Sequence, residues 1–209
     1  NKRNIINIRG KSMKYENIKY NECDEVYPPA EDTFLLIDNL IVKNNDSVLE
    51  VGCGCGIVSI AASLNAEKVT SIDINPHAIK CTKENIKLNN RKNIEVIESN
   101  LFEKIDDKYD LILFNTPYLP VTEEEHDVDD DYSKAWDGGV DGRKVIDAFL
   151  EEAPKYLKED GTIQLVQSSL SDNEKTLNYL NNNGFNAKIT EKYHQFFEDI
   201  TLISAKRIL

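Results

Sequence analysis

Val48-Leu49-Glu50-Val51-Gly52-Cys53-Gly54-Cys55-Gly56 runs a short apolar strand into alternating glycines, directly before an apolar helical pattern that starts at Ile57. Glycines at such a turn permit positive φ and let a ligand come close to the backbone, as the strand-to-helix turn of an open α/β sheet requires. A dinucleotide fingerprint wants its third glycine one position later, where Ile57 stands, so the spacing disfavours NAD. A merely tight turn would show one or two of these glycines, and the reading therefore depends on the neighbouring strand ends.

Outward from this turn, strand and helix patterns alternate. Residues 31–42 read as a helix, Ser47–Val51 as a strand, 56–65 as a helix, Lys68–Asp73 as a strand and Pro76–Leu88 as a helix with proline in its first turn. Ile94–Glu98 and residues 110–114 supply two more strands, 143–157 a helix ended by Gly161, 162–168 a further strand, and 171–182 a helix stopped by Gly184. Residues 185–208 are rich in β-branched and aromatic side chains without a helical period, which predicts two strands as a final antiparallel hairpin at one end of the sheet. The expected fold class is α/β, a Rossmann-like, mostly parallel sheet with helices on both faces.

Two further strand ends carry polar residues suited to a ligand. Asp73 closes the second strand, where a carboxylate accepts both hydroxyls of a ribose; the plain alternative is a cap on the helix near Pro76. Phe114-Asn115-Thr116-Pro117-Tyr118 follows the fourth strand on the same sheet edge. There the Asn115 side-chain oxygen and the Thr116 carbonyl can accept both hydrogens of one NH2 group, Tyr118 offers a flat surface, and Pro117 holds Thr116 extended. Such anchoring aims a planar nitrogen, so that orientation rather than acid chemistry lowers the barrier. An Asn/Pro turn is the structural alternative.

Composition bounds the rest. The 209 residues and 40% apolar content suit one core, and no apolar run approaches the roughly 18 residues that span a bilayer. The N-terminal dozen carries Lys2, Arg3, Arg9 and Lys11 without an apolar stretch or cleavage site, so a cytoplasmic location is expected. With Met13 as a candidate start, residues 1–12 read as a remnant or an over-long beginning; 1–25 is set apart as an N-terminal extension and 26–209 as the domain proper. A net charge of −12 offers phosphate backbones no general attraction. Cys23, Cys53, Cys55 and Cys81 are expected as reduced thiols, with Cys53 and Cys55 as small fillers rather than a zinc site, and no metal is expected. The irregular stretch 116–142 holds an acidic cluster, Glu123 to Asp131. It fails as a calcium loop, because counting from Asp127 the sixth position is Tyr132 and the twelfth Gly138.

Together the glycine loop, the distal acid and Asn-x-Pro-Tyr resemble class I amino-methyltransferases, whose fourth motif is usually Asn-Pro-Pro-Tyr. More narrowly, Val26-Tyr27-Pro28-Pro29-Ala30-Glu31-Asp32-Thr33-Phe34-Leu35-Leu36 and Trp136-Asp137-Gly138-Gly139-Val140-Asp141-Gly142-Arg143 are similar to the HemK2/Mtq2 group of release-factor glutamine methyltransferases, over residues 26 to about 170. The resemblance implies a seven-stranded sheet, S-adenosylmethionine as methyl donor with S-adenosylhomocysteine as product, and N5-methylation of the glutamine in the Gly-Gly-Gln motif of a class I release factor. It places Thr33, Glu50, Gly52, Gly54, Gly56, Asp73, Ile74, Asn100, Leu101 and Asn115 around the cofactor, and Asn115, Thr116, Pro117 and Tyr118 at the transfer step. It also implies a small zinc-binding activator protein, for which Ile94–Glu98 is the expected docking edge. Thr116 replaces the usual first proline, an expected loosening, and Asn100 replaces the usual aspartate that accepts from adenine, an expected loss of affinity. The rival is an adenine N6- or guanine N2-methyltransferase of RNA or DNA, which uses the same geometry and is disfavoured by charge.

Overall fold

The computed structural model describes residues 5–7, 12–117 and 142–208. Ten strands and five α-helices are formed among these residues: β1 (Ile5–Asn7), β2 (Ser12–Tyr15), β3 (Ile18–Asn21), α1 (Glu31–Asp38), β4 (Ser47–Val51), α2 (Ile57–Ala62), β5 (Lys68–Asp73), α3 (Pro76–Leu88), β6 (Ile94–Glu98), β7 (Tyr109–Asn115), α4 (Lys144–Glu152), β8 (Leu157–Ser168), α5 (Asn173–Asn182), β9 (Phe185–Gln195) and β10 (Glu198–Arg207). The main sheet has seven strands in the order β6-β5-β4-β7-β8-β10-β9, parallel from β6 to β8, with β10 antiparallel to both β8 and β9. The expected mostly parallel sheet with a C-terminal hairpin is therefore present. β6 lies at one edge, as expected for Ile94–Glu98. The central strands bury Val48, Leu49, Val69, Ile112 and Leu113 completely, the uninterrupted apolar pattern of strands covered on both faces.

Helix ends differ from expectation where local side chains intervene. α1 stops at Asp38 rather than residue 42, because Gln164 takes over: its Oε1 accepts the Ile41 N–H (3.2 Å) and its Nε2 donates to the Asn39 carbonyl (2.9 Å). α2 covers only Ile57–Ala62, short of the expected 56–65. α4 ends at Glu152, before Pro154, which lacks an N–H and forces a short 3-10 turn; Gly161 then lies inside β8 rather than stopping the helix.

The N-terminal residues set aside in the sequence reading contribute to the packing. Ile18 and Tyr20 of β3 are buried, and Tyr15 stacks on Phe34 of α1 with ring centroids 4.5 Å apart. Asn85 of α3 clamps β3: its Oδ1 accepts the Asn21 N–H (2.8 Å) and its Nδ2 donates to the Asn21 carbonyl (3.1 Å). This clamp brings Cys23 beside Cys81, and the two form a disulfide across 58 residues of chain. The expectation of four reduced thiols is corrected on that point, since sequence separation gave no sign that β3 lies along α3. Cys53 and Cys55 are free and buried as fillers; burial pushes the Cys55 thiol up to about 12 and Cys53 well above its ordinary value, so both stay protonated and inert.

Candidate functional site

The carboxyl ends of β4, β5 and β7 meet around one cavity of about 410 Å³, within the usual range for small-molecule sites of roughly 300–1,000 Å³. The glycine turn forms its floor. Gly54 has φ 54° and an added Cβ there would meet nothing within 4 Å, so the loop presents open backbone to a ligand. Gly56 serves the opposite need: with φ 81°, an added Cβ would stand 2.7 Å from Cγ2 of Thr82. α3 can therefore press against the loop, where the Thr82 hydroxyl donates to the Gly54 carbonyl (2.9 Å) and Asn85 Nδ2 to the Cys55 carbonyl (2.9 Å).

Asp73 lines the cavity at the end of β5. Its Oδ2 accepts the Gly54 N–H (2.9 Å) and its Oδ1 the Asn75 N–H (2.9 Å), which leaves each oxygen a lone pair for a ligand hydroxyl. The cap on α3 comes instead from Asn75, whose side chain accepts the His77 N–H (2.8 Å), so the capping alternative for Asp73 falls away. Burial raises the Asp73 carboxyl above its ordinary value, against the pull of the Asn75, Gly54 and Ile74 N–H groups.

Further round the wall, Ile74 stands 41% exposed, a large apolar side chain with no core to join. Asn100 Nδ2 donates to Glu103 Oε1 (2.8 Å), which assigns Oδ1 as the outward acceptor. Leu101, also on the wall, takes φ 44°, a conformation that side chains avoid; the Ser99 hydroxyl stabilises it by donating to the Leu101 carbonyl (2.9 Å).

Asn115 closes the opposite side. Its Nδ2 donates to Asp32 Oδ2 (3.2 Å) and to the Thr33 hydroxyl (3.4 Å), both in the first turn of α1. Thr33 in turn accepts the Ala30 N–H (3.3 Å), and Asp32 Oδ1 accepts the Thr33 N–H (2.6 Å). The amide is thereby oriented with Oδ1 buried and, among the described residues, without a partner. A buried orphan acceptor costs about 1–3 kcal/mol unless a ligand satisfies it. Thr116 donates both its N–H (3.1 Å) and its hydroxyl (2.7 Å) to the Val166 carbonyl of β8, so the expected loosening is corrected: threonine ties this segment to β8 with two bonds that proline lacks.

The structure brings Gly52, Gly54, Asp73, Ile74, Asn100 and Leu101 onto one cavity with Asn115, Thr116 and Pro117. Thr33 and Gly56 act from behind the wall. Tyr118, the acidic cluster of 123–131 and residues 136–141 lie outside the described residues. Arg143 is buried and does not line the cavity; it holds the start of α4 to α5, donating from Nη1 to the Thr176 hydroxyl (2.5 Å) and to the Ser171 carbonyl (2.8 Å) just before that helix. The sequence reading missed Asp32 as a site residue, because an acid in a first helical turn reads as a partner for the helix dipole. It also missed Lys144 and Val145, which line the far wall from α4.

Glu50 is placed beneath the glycine loop rather than on the cavity. It is 3% exposed, and its Oε2 accepts from the Ser59 hydroxyl, which shares a 2.5 Å hydrogen bond with the Ser71 hydroxyl. Burial is the main cause that pushes its carboxyl from 4.5 up to about 8, opposed by Ser59 and assisted by the Asp73 charge. Because the folded value is raised, this neutral carboxyl contributes stability that is intact below pH about 4.5 and lost as pH rises through about 8. Glu50→Gln is expected to flatten the fall of stability between pH 5 and 9, measured as denaturant midpoints; parallel curves for variant and parent would refute a neutral Glu50.

Residues 30–132 match the family described as methyltransferase small domain. A putative protein N5-glutamine methyltransferase of Methanocaldococcus jannaschii is 46% identical over 197 residues, 94% of this chain and 99% of the relative. Methyltransferase HEMK2 of Mus musculus is 38% identical over 68% of this chain and 71% of its own. Among solved structures, a chain of the E. cuniculi Mtq2–Trm112 complex, described as responsible for methylating the translation termination factor eRF1, matches with a TM-score of 0.68 at 23% identity, over 88% of this chain and 99% of that one. This last match bears on the fold alone.

Proposed function

The chain belongs to the HemK2/Mtq2 group of class I methyltransferases, and from that premise we propose that it N5-methylates the glutamine of a Gly-Gly-Gln loop in a class I translation release factor. The fold implies S-adenosylmethionine as donor, which supplies an electrophilic methyl group on a sulfonium sulfur. The residues present fit that group. Asp73 would accept from the ribose hydroxyls, open Gly54 would admit close approach, and Ile74 and Leu101 would flank a flat ring. Asn100 Oδ1 would accept from the adenine amino group, since Glu103 engages the amide NH2 and leaves the oxygen to do the work of the usual aspartate.

The observation that carries the reading is the orphan Oδ1 of Asn115. It would accept one hydrogen of the glutamine amide and the Thr116 carbonyl would accept the other, which would turn the nitrogen lone pair toward the donor side of the cavity. The transfer would leave the sulfonium donor as a neutral thioether and would release one proton from the amide nitrogen to solvent. Orientation lowers the barrier, because an amide lone pair is delocalised and attacks only when twisted toward its target. Asp32 and Thr33 keep the Asn115 amide from flipping. At a net charge of −12, protein is favoured over nucleic acid as substrate.

The partner is a small activator protein that adds a strand along Ile94–Glu98, where β6 presents an unpaired edge and the half-buried Ile94, Val96 and Ile97. Mass spectrometry of a release factor after incubation with the chain and S-adenosylmethionine tests the function: one added methyl on the Gly-Gly-Gln glutamine is expected. Methylation of RNA or DNA instead, with the release factor unchanged, would transfer the assignment to the rival.

A further inference from the structure

Phe196 and Phe197 are the most exposed of the large apolar side chains described, at 91% and 95%. They occupy the two-residue turn between β9 and β10, where Gln195 pairs with Glu198. Turns of this length favour asparagine and glycine, because positive φ is needed. Phe196 nevertheless adopts φ 25°. Two rings that gain no burial, one of them on a backbone conformation costly for a bulky residue, do nothing for the stability of the fold.

Their position is not arbitrary. β7 ends at Asn115, which pairs with Val166 of β8; two residues on, Ser168 pairs with Ile200 of β10. Since β10 runs antiparallel to β8, the turn that precedes Glu198 projects past Ser168, beyond the same sheet edge on which the cavity opens. It lies two strand spacings from Asn115, roughly 10 Å across the sheet, and about five residues farther along the strand direction, roughly 17 Å. Leu170, 61% exposed just after β8, stands at the same edge. The turn is also braced: Ser168 donates to Glu198, the Asp199 N–H donates to the Ser169 hydroxyl (2.9 Å), and Lys192 (3.1 Å) and His194 (2.8 Å) pair with Asp199.

We propose that Phe196 and Phe197, with Leu170, form a docking surface for the folded methyl-acceptor protein, which contacts it outside the glutamine loop with an apolar patch edged by basic residues. This rests on the protein-substrate reading above. Its place on the sheet edge on which the cavity opens selects the acceptor as occupant, and Glu198 beside the turn, on a chain of net charge −12, favours a basic border over an anionic lipid surface or RNA. Exposed aromatic anchors beside an active site add affinity for a folded partner and nothing for a short peptide that reaches only Asn115.

The test uses the full chain carrying Phe196→Asn and Phe197→Gly together, residues that the turn itself prefers, so the hairpin is retained. On folded release factor the variant is expected to show KM raised about tenfold or more with kcat unchanged. On a short Gly-Gly-Gln peptide its kinetics should equal those of the parent. Equal KM on the folded protein, or an equal loss on peptide and protein, would overturn the docking surface. So would loss of binding to anionic phosphatidylserine vesicles with methylation unchanged, which would assign the turn to a membrane. If the parent chain methylates neither protein nor peptide, it is the functional assignment that fails.

Discussion

Asn115→Ala will cut methyl transfer by roughly a hundredfold to a thousandfold while S-adenosylmethionine affinity stays within a few-fold. The scale is that of removing one preorganised hydrogen-bond group from a buried site. Two effects combine: the acceptor for the target NH2 disappears, and Asp32 Oδ2 loses the donor 3.2 Å away and keeps the longer bond from the Tyr27 hydroxyl (3.4 Å). The loss should appear in kcat more than in KM, because Asn115 acts by aiming the nitrogen rather than by holding the acceptor. Asn115→Asp separates the two effects, since it retains an oxygen but sets a second carboxylate against Asp32 and is expected to fail as badly. Calorimetry for the cofactor and single-turnover rates for transfer decide it; retained activity in Asn115→Ala would remove the mechanism.

Asp73→Asn is expected to weaken S-adenosylmethionine binding by roughly a hundredfold to ten-thousandfold, from the loss of two charge-assisted hydrogen bonds of about 1.5–3 kcal/mol each. The structure adds a second cause. Both oxygens already accept backbone N–H groups, from Gly54 and Asn75, so an amide there turns a donor against a donor and pushes on the glycine loop. A comparison of unfolding midpoints without cofactor isolates that contribution. An unchanged dissociation constant would mean that ribose is held elsewhere.

Much of this site is legible in order along the chain because parallel α/β sheets place ligands at the carboxyl ends of their strands. Once β4, β5 and β7 are read from their apolar runs, Gly54, Asp73 and Asn115 fall on one edge whatever the details of packing. Asp32 escaped that logic: it lies on a helix, and its contact with Asn115 exists only because α1 packs beside the end of β7. Glu50 shows the other side of that logic. It belongs to the motif, yet its side chain turns under the loop toward Ser59, and no spacing rule reports which face of a turn a side chain takes.

By itself the sequence determined the sheet, its antiparallel terminus and the identities of the groups at three strand ends, because hydrophobic periodicity and the glycines of a strand-to-helix turn are local signals. Only the tertiary structure decided which of those groups have bonding capacity left over. The freedom of Asn115 Oδ1, the doubly engaged Asp73, the second bond that Thr116 makes to Val166 and the pairing of Cys23 with Cys81 each join residues far apart in the chain. Such contacts follow from how helices settle on a twisted sheet, and a hydrogen-bond acceptor is left open or filled by that settling rather than by its neighbours in sequence.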